Sequence, residues 1–245
     1  MRKLLFFSFF LLIAIDSIGQ QAQVDSLEQL LNTTFKEGSS NRVNVLVEAS
    51  ELLLRINPDR SLSMSKEALR LSVLLGYKDQ ISHIYNNTGT ANRLKGDYGK
   101  ALSFHNRALE NDRKDGSRRE EALSLNNLGN VFLKQGKYKK AILNYEQSLE
   151  IRQDINDLEG VASSLNNLGL VYKNQGDLDR ALAYYQNAFK IFQQTGDNVG
   201  LANALNNIGI VHRGHGNQER ALENFLSALS LFRELGNNVG EANTL

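Results

Sequence analysis

The 245-residue chain has no cysteine, no tryptophan and a single proline, Pro58. Without cysteine there is no disulfide, no thiolate nucleophile and no cysteine-ligated metal. One proline in such a length favours long helices, because proline breaks helix interiors. Net charge is nearly absent too, with 28 basic and 27 acidic residues. If the leader described next is removed, with Arg2, Lys3 and Asp16, 26 of each remain. A neutral chain has no global field to draw nucleic acid or an anionic membrane. With 41% hydrophobic and 22% charged residues, the composition excludes global disorder, collagen and low-complexity sequence.

Long apolar runs are confined to the start. Met1-Arg2-Lys3 is a positive n-region, and Leu4 to Ile15 is apolar except for Ser8. That length suits the apolar stretch of a secretory signal peptide and is too short to span a bilayer as a helix. Ser17 and Gly19 are small residues at −3 and −1, which places cleavage after Gly19. Retention of the segment as an uncleaved anchor is the alternative. The expected location is outside the cytoplasm, in a bacterial periplasm or cell envelope. Contact with a membrane comes only through this segment or through a part beyond residue 245.

The remainder repeats. Asn-Asn recurs at 86–87, 126–127, 166–167 and 206–207, each step being 40 residues. Gly89, Gly129, Gly169 and Gly209 keep the step, as do Gly96, Gly136, Gly176 and Gly216, and Ala101, Ala141, Ala181 and Ala221. The units are 81–120, 121–160, 161–200 and 201–240. Each reads as helix–turn–helix. In 161–200, Leu165, Leu168 and Tyr172 share one face of the first helix, Gly176 breaks it, and Asp177 caps the second. The second helix carries Leu182, Tyr185, Ala188, Phe189 and Phe192 on one face and ends at Gly196. Two helices of this size cannot bury a core alone, so the units must stack. Gly169 and Ala181 are expected to let the two helix backbones approach closely.

Residues 41–80 fit the same register loosely through Val45, Ala49, Leu52, Leu62, Ala68, Leu71 and Gly76, with Pro58 near the start of the second helix. Residues 20–40 read as an amphipathic capping helix (Val24, Leu27, Leu30, Leu31, Phe35) followed by a linker. Residues 241–245 begin a further unit and are too few for a stable helix. The chain therefore reads as truncated, with an uncovered apolar patch at Leu226 and Leu229 that would favour self-association.

The spacing of Leu165, Leu168, Gly169, Tyr172, Ala181, Tyr185 and Ala188 resembles the tetratricopeptide repeat. The Asn-Asn-Leu-Gly form, longer than the usual unit of about 34 residues, is similar to the repeats of kinesin light chains and LGN-type proteins. The resemblance covers 81–240 and implies an all-α helix–turn–helix repeat solenoid, wound as a right-handed superhelix whose first helices line the concave face. The aromatic usual at the first core position of the first helix is replaced by Leu125, Leu165 and Leu205. The usual terminal proline is absent. In the first unit, Asn92 and His105 stand where later units have larger rings.

No catalytic constellation emerges. His212 and His215 have the spacing of two metal ligands on one helix, but no carboxylate completes a set and Gly214 disrupts the helix there. His212 reads instead as a substitute for a core aromatic. The Gly136-Lys137-Tyr138 segment lacks the spacing and the Ser/Thr of a phosphate-binding loop. Residues 112–121 are a mixed-charge run that reads as a solvated loop. No enzyme activity, metal or cofactor is expected.

Attention therefore falls on the face of the first helices opposite the core. With 100° per residue, it holds repeat positions 3, 6, 7, 10, 13, 14 and 17. Asn86, Asn126, Asn166 and Asn206 at position 6 form a ladder, with Asn130 at position 10. A side-chain amide both donates and accepts, which suits the backbone of an extended peptide. In the resembling families, asparagines at these positions contact bound peptides. The other possibility is local bonding between helices, which the reading favours for position 7. Arg93, Lys134, Lys137, Lys173 and Arg213 face only Asp97 and Asp177, so the groove is mildly basic and suits an acidic or carboxylate-bearing protein segment. Two functions fit. One is an exported, non-catalytic protein-interaction module. The other is the sensory N-terminal part of a larger envelope signalling protein whose output is a histidine kinase, nucleotide cyclase or DNA-binding regulator.

Overall fold

A computed structural model describes residues 21–33 and 39–244. The expected leader and linker residues 34–38 lie outside the described residues. Among the described residues there is no strand. A helix over 21–33 (α1) is followed by α2 (Ser40–Ile56), α3 (Pro58–Leu75), α4 (Ile81–Leu94), α5 (Tyr98–Asp115), α6 (Arg118–Lys134), α7 (Tyr138–Asp154), α8 (Leu158–Gln175), α9 (Leu178–Thr195), α10 (Asn198–Gly214), α11 (Gln218–Glu234) and α12 (Asn238–Thr244). No described helix is long and apolar enough to cross a membrane.

The turns explain the regularity. A residue with positive φ falls every 20 positions from 76 to 236, and it is glycine at every one of these except Asn156 (φ 54°). This is the left-handed conformation that ends a helix, and asparagine is the side chain that tolerates it best after glycine. Helix starts are marked as consistently. Asn57, Asp97, Asp157, Asp177, Asp197 and Asn217 each accept a hydrogen bond from the backbone N–H three residues on. Such caps contribute about 1 kcal/mol apiece. Pro58 occupies the first helical position of α3, where its missing N–H costs nothing.

The described helices form two compact units, one within residues 17–136 and one within 137–245. In the first, α2 packs on α3, α4 on α5, and α4 also lies beside α2 and α6. Leu31 of α1 joins Val43, Leu46, Val47, Ala68, Leu71 and Ile84 in one core cluster. Arg42 fastens this end, donating to Leu31 O at 2.6 Å and to the Glu67 carboxylate at 2.8 and 3.0 Å. In the second unit α8 pairs with α9 and α10 with α11. Ala181, Tyr185, Ile208 and Val211 bury together, with Tyr172 and Leu182 against them. Each fully buried large apolar side chain contributes about 1.5–3 kcal/mol.

Two expectations are refined. Gly169 makes room first for a ring. A Cβ there would stand 2.7 Å from Tyr185 Cε1, and at Gly89 it would stand 2.6 Å from His105 Cε1. At Gly209, the equivalent of Gly169, a Cβ would also meet the Ala221 backbone oxygen at 3.2 Å, the close approach expected. The C-terminal end also differs. Residues 238–244 are helical, because packing on α11 supplies what so short a segment lacks alone. The Phe232 ring lies beneath Gly240, and the Gly240 N–H donates to Asn237 Oδ1 at 2.9 Å. Leu229 is buried at 8% exposure, so only Leu226, with its neighbour Leu222, is exposed.

Candidate functional site

The first helices stand side by side within each unit, α2, α4 and α6 in one, α8, α10 and α12 in the other. This brings equivalent positions of successive repeats next to each other. The asparagine at position 7 reaches back to the preceding first helix. Asn87 donates to Ser50 Oγ at 3.0 Å, Asn127 to Asn86 Oδ1 at 3.3 Å, and Asn207 to Asn166 Oδ1 at 3.0 Å. Position 7 is thus an interhelix clip, and the position 6 amide it reaches spends its oxygen on the clip.

The position 6 residues then diverge. Asn86 is buried and engaged through both its amide nitrogen and its oxygen. It donates to Ser124 Oγ at 2.9 Å and lies 2.9 Å from His105 Nδ1, while Ser124 donates to Asp112 Oδ2 at 2.6 Å. The Asn86 oxygen is an acceptor, so the neutral His105 ring carries its proton on Nδ1. Burial with Arg93 nearby holds the His105 pKa down at about 3, and burial pushes the Asp112 carboxyl up. Asn86 is therefore closed to a ligand, a correction to the ladder read from the sequence. The cause is a polar core peculiar to this repeat, in which His105 and Asp112 require amide and hydroxyl partners.

Asn126, Asn130, Asn166 and Asn206 are half-buried on their helices. In the second unit, the Asn166 amide N–H groups and the Asn206 side chain make no hydrogen bond among the described residues. Two turns beyond Asn166, Lys173 is half-buried and has no ion-pair partner among the described residues, and burial lowers its pKa. On α10, Ile210 and exposed Arg213 follow Asn206 in the same register, with the Arg213 guanidinium 5.6 Å from the Phe225 ring. The second unit thus presents amide donors, an apolar step at Leu170 and Ile210, and two cations.

The first unit is different. Arg93 lines a cavity of about 440 Å³ together with Glu48, Glu51, Leu52, Thr90 and Leu94. Lys134 is exposed on α6. The two glutamates were missed because 41–80 was weighed only for its apolar register. Asp97 and Asp177, counted as groove charges, are helix caps paired with Lys100 and Arg180. His215 lies 3.5 Å from Asp179, and among the described residues no three metal-ligating side chains converge.

Comparison with known proteins agrees with this geometry. Family models described as tetratricopeptide repeat match residues 122–155 and 160–234. Over these residues the chain is an array of tetratricopeptide repeats. No curated protein matches it in sequence. Among solved structures, this tetratricopeptide repeat chain is similar to BtubC (BKLC) from P. vanneervenii, with 25% identity, TM-score 0.66, and 89% of this chain and 90% of that one covered. It is also similar to a Podosopora anserina kinesin light chain with nearly identical TPR-like repeats, at 12% identity, TM-score 0.60, and 79% and 96% coverage. NprR in complex with its cognate peptide NprX shares the fold at 17% identity and TM-score 0.70, covering 92% of this chain and 65% of NprR.

Proposed function

We propose that this tetratricopeptide repeat protein is an exported, non-catalytic module that binds an acidic peptide segment along the first helices of its second unit. The carrying observation is Lys173. A half-buried ammonium without a carboxylate partner is costly, and an arriving carboxylate would repay it with a charge-assisted hydrogen bond. The unbonded amide groups of Asn166 and Asn206 suit the backbone of the same segment. The complex of NprR with NprX supports the reading by likeness of fold. Export rests on the Met1–Gly19 sequence alone.

Titration of the chain with acidic, neutral and basic extended peptides tests the reading. Acidic peptides should bind best, more weakly as salt rises, and Lys173→Met should weaken them by about tenfold or more. If neutral peptides bind as well and Lys173→Met changes nothing, the reading fails. A reporter enzyme that is active only outside the cytoplasm, fused after residue 25, tests the leader.

A further inference from the structure

A cavity of about 680 Å³ lies in the first unit away from the ladder, between α3, α4 and α5. That is within the range of about 300–1,000 Å³ typical of small-ligand sites. Its origin is legible in the repeat register. At position 25 the four later repeats place His105, Tyr145, Tyr185 and Phe225, each a ring, but residues 41–80 place Ser65 there. At position 12 the three later repeats place Phe132, Tyr172 and His212, but the repeat at 81–120 places Asn92. Both small polar residues line this cavity, as does Phe104.

The second unit shows what is missing. There Tyr172 lies flat on Tyr184, centroids 5.3 Å apart and planes 7° from parallel. Asn92 and Phe104 are the equivalents of Tyr172 and Tyr184. Phe104 therefore lacks the stacked partner of its equivalent, its ring neighbours being Tyr85, tilted by 38° at 6.2 Å, and the Arg107 guanidinium at 5.7 Å. Leu62 and Leu69 extend the apolar wall. Within it, Ser65 is 1% exposed and its Oγ finds no hydrogen-bond partner among the described residues. A buried hydroxyl without a partner is a standing cost that a ligand's polar group removes. At the rim, Lys95 pairs with Asp59, and Lys100 with Asp97 at 2.6 Å. Lys66, also lining, makes no ion pair among the described residues.

We infer that this cavity is a binding site for a flat aromatic ring carrying a carboxylate, with the ring stacked on Phe104 beside Asn92 and the carboxylate at Lys66. The chemistry has two sources, a free aryl-substituted acid or the C-terminal aromatic residue of a peptide. The site is independent of the groove proposed above and shares none of its residues.

The test titrates the full chain, labelled for amide NMR, with 3-phenylpropionate, neutral 3-phenylpropanol, Gly-Gly-Phe and Gly-Gly-Phe amide. Expected are shifts centred on Ser65, Thr88, Asn92 and Phe104 with 3-phenylpropionate, and affinity for the alcohol lower by about tenfold. Asn92→Tyr restores the ring its sister repeats carry and should abolish binding while the melting temperature holds or rises. Lys66→Gln, at an exposed position that cannot unfold the chain, should weaken the acid toward the alcohol's affinity. Binding of Gly-Gly-Phe but not of its amide assigns the site to peptide C-termini. Binding of 3-phenylpropionate alone assigns it to free acids. Absence of saturable shifts at these residues, equal binding of acid and alcohol, or binding that survives a folded Asn92→Tyr protein overturns the inference.

Discussion

Asn207 donates its side-chain N–H to Asn166 Oδ1 at 3.0 Å, tying position 7 of one first helix to position 6 of the helix before it. The two adjacent asparagines of the repeat at 201–240 therefore do different work. Asn207 holds repeats together, while the side chain of its neighbour Asn206 makes no hydrogen bond among the described residues. Replacing Asn207 by alanine should cost about 1 kcal/mol, the worth of a neutral hydrogen bond. Asn206→Ala should stay within about 0.5 kcal/mol, as for other surface changes. Urea denaturation of the two variants separates the roles.

Asn86 occupies the same repeat position as Asn206 and should behave oppositely. Its removal strands Ser124, His105 and Asn127, all of which it serves. Asn86→Ala should cost about 2–4 kcal/mol, because buried polar groups lose partners that water cannot replace. A cost below that of Asn207→Ala would show that the network contributes little.

Much of this architecture was legible in the sequence because its signals are local. The step of 40, the glycines at the turns and the Asp or Asn caps each act within a few residues of themselves. The asparagine ladder was legible as a position but not as a set of roles. Whether Asn86 or Asn166 is open depends on what lies on the next helix, and only the fold brings Ser124, Asp112 and His105 to Asn86. The cavity was half visible, since Asn92 and His105 were noticed as departures from the pattern. Ser65 was not noticed, because the weak register of 41–80 was judged by its apolar residues.

His105 should make stability depend on pH. Its pKa is about 3 in the folded protein, against about 6.5 unfolded. Between those values the unfolded chain binds more protons, so stability is complete above about pH 6.5 and falls as pH drops toward 3. The slope approaches about 1.4 kcal/mol per pH unit, or about 2 kcal/mol between pH 6.5 and 5. Asp112, whose carboxyl is held up by burial, acts in the opposite sense at the acid end. His105→Phe keeps a ring against Gly89 and should flatten the profile over pH 5–6.5. An unchanged slope in that variant assigns the dependence to other groups.

Gly169 should resist even the smallest side chain. The Tyr185 ring, itself fully buried, lies where a Cβ would go, 2.7 Å from Cε1 and 2.8 Å from Cδ1. Alanine would normally favour a helix over glycine by about 1 kcal/mol. Here overpacking of about 1–3 kcal/mol outweighs that gain, so Gly169→Ala should destabilise. Combined with Tyr185→Leu, the alanine should cost less than it does alone, and a double-mutant cycle measures that coupling. A stabilising Gly169→Ala would mean that the ring moves aside freely.

Helix α11 offers a contrast along its own length. On α11, Leu229 is 8% exposed while Leu226, three residues earlier, is 56% exposed. One turn of helix separates a residue facing the core from one facing outward, so the apolar excess read from the sequence is only partly uncovered. Leu229→Ala should cost about 2–4 kcal/mol, combining lost burial with the cavity left behind. Leu226→Ala should change stability by no more than about 0.5 kcal/mol. Leu226 and the similarly exposed Leu222 are the apolar residues this helix leaves uncovered, so Leu222→Glu with Leu226→Glu should shift sedimentation toward the monomer without lowering the melting temperature. Equal stability losses at 226 and 229 would place both in the core. A sedimentation profile untouched by the two glutamates would mean that this strip drives no association.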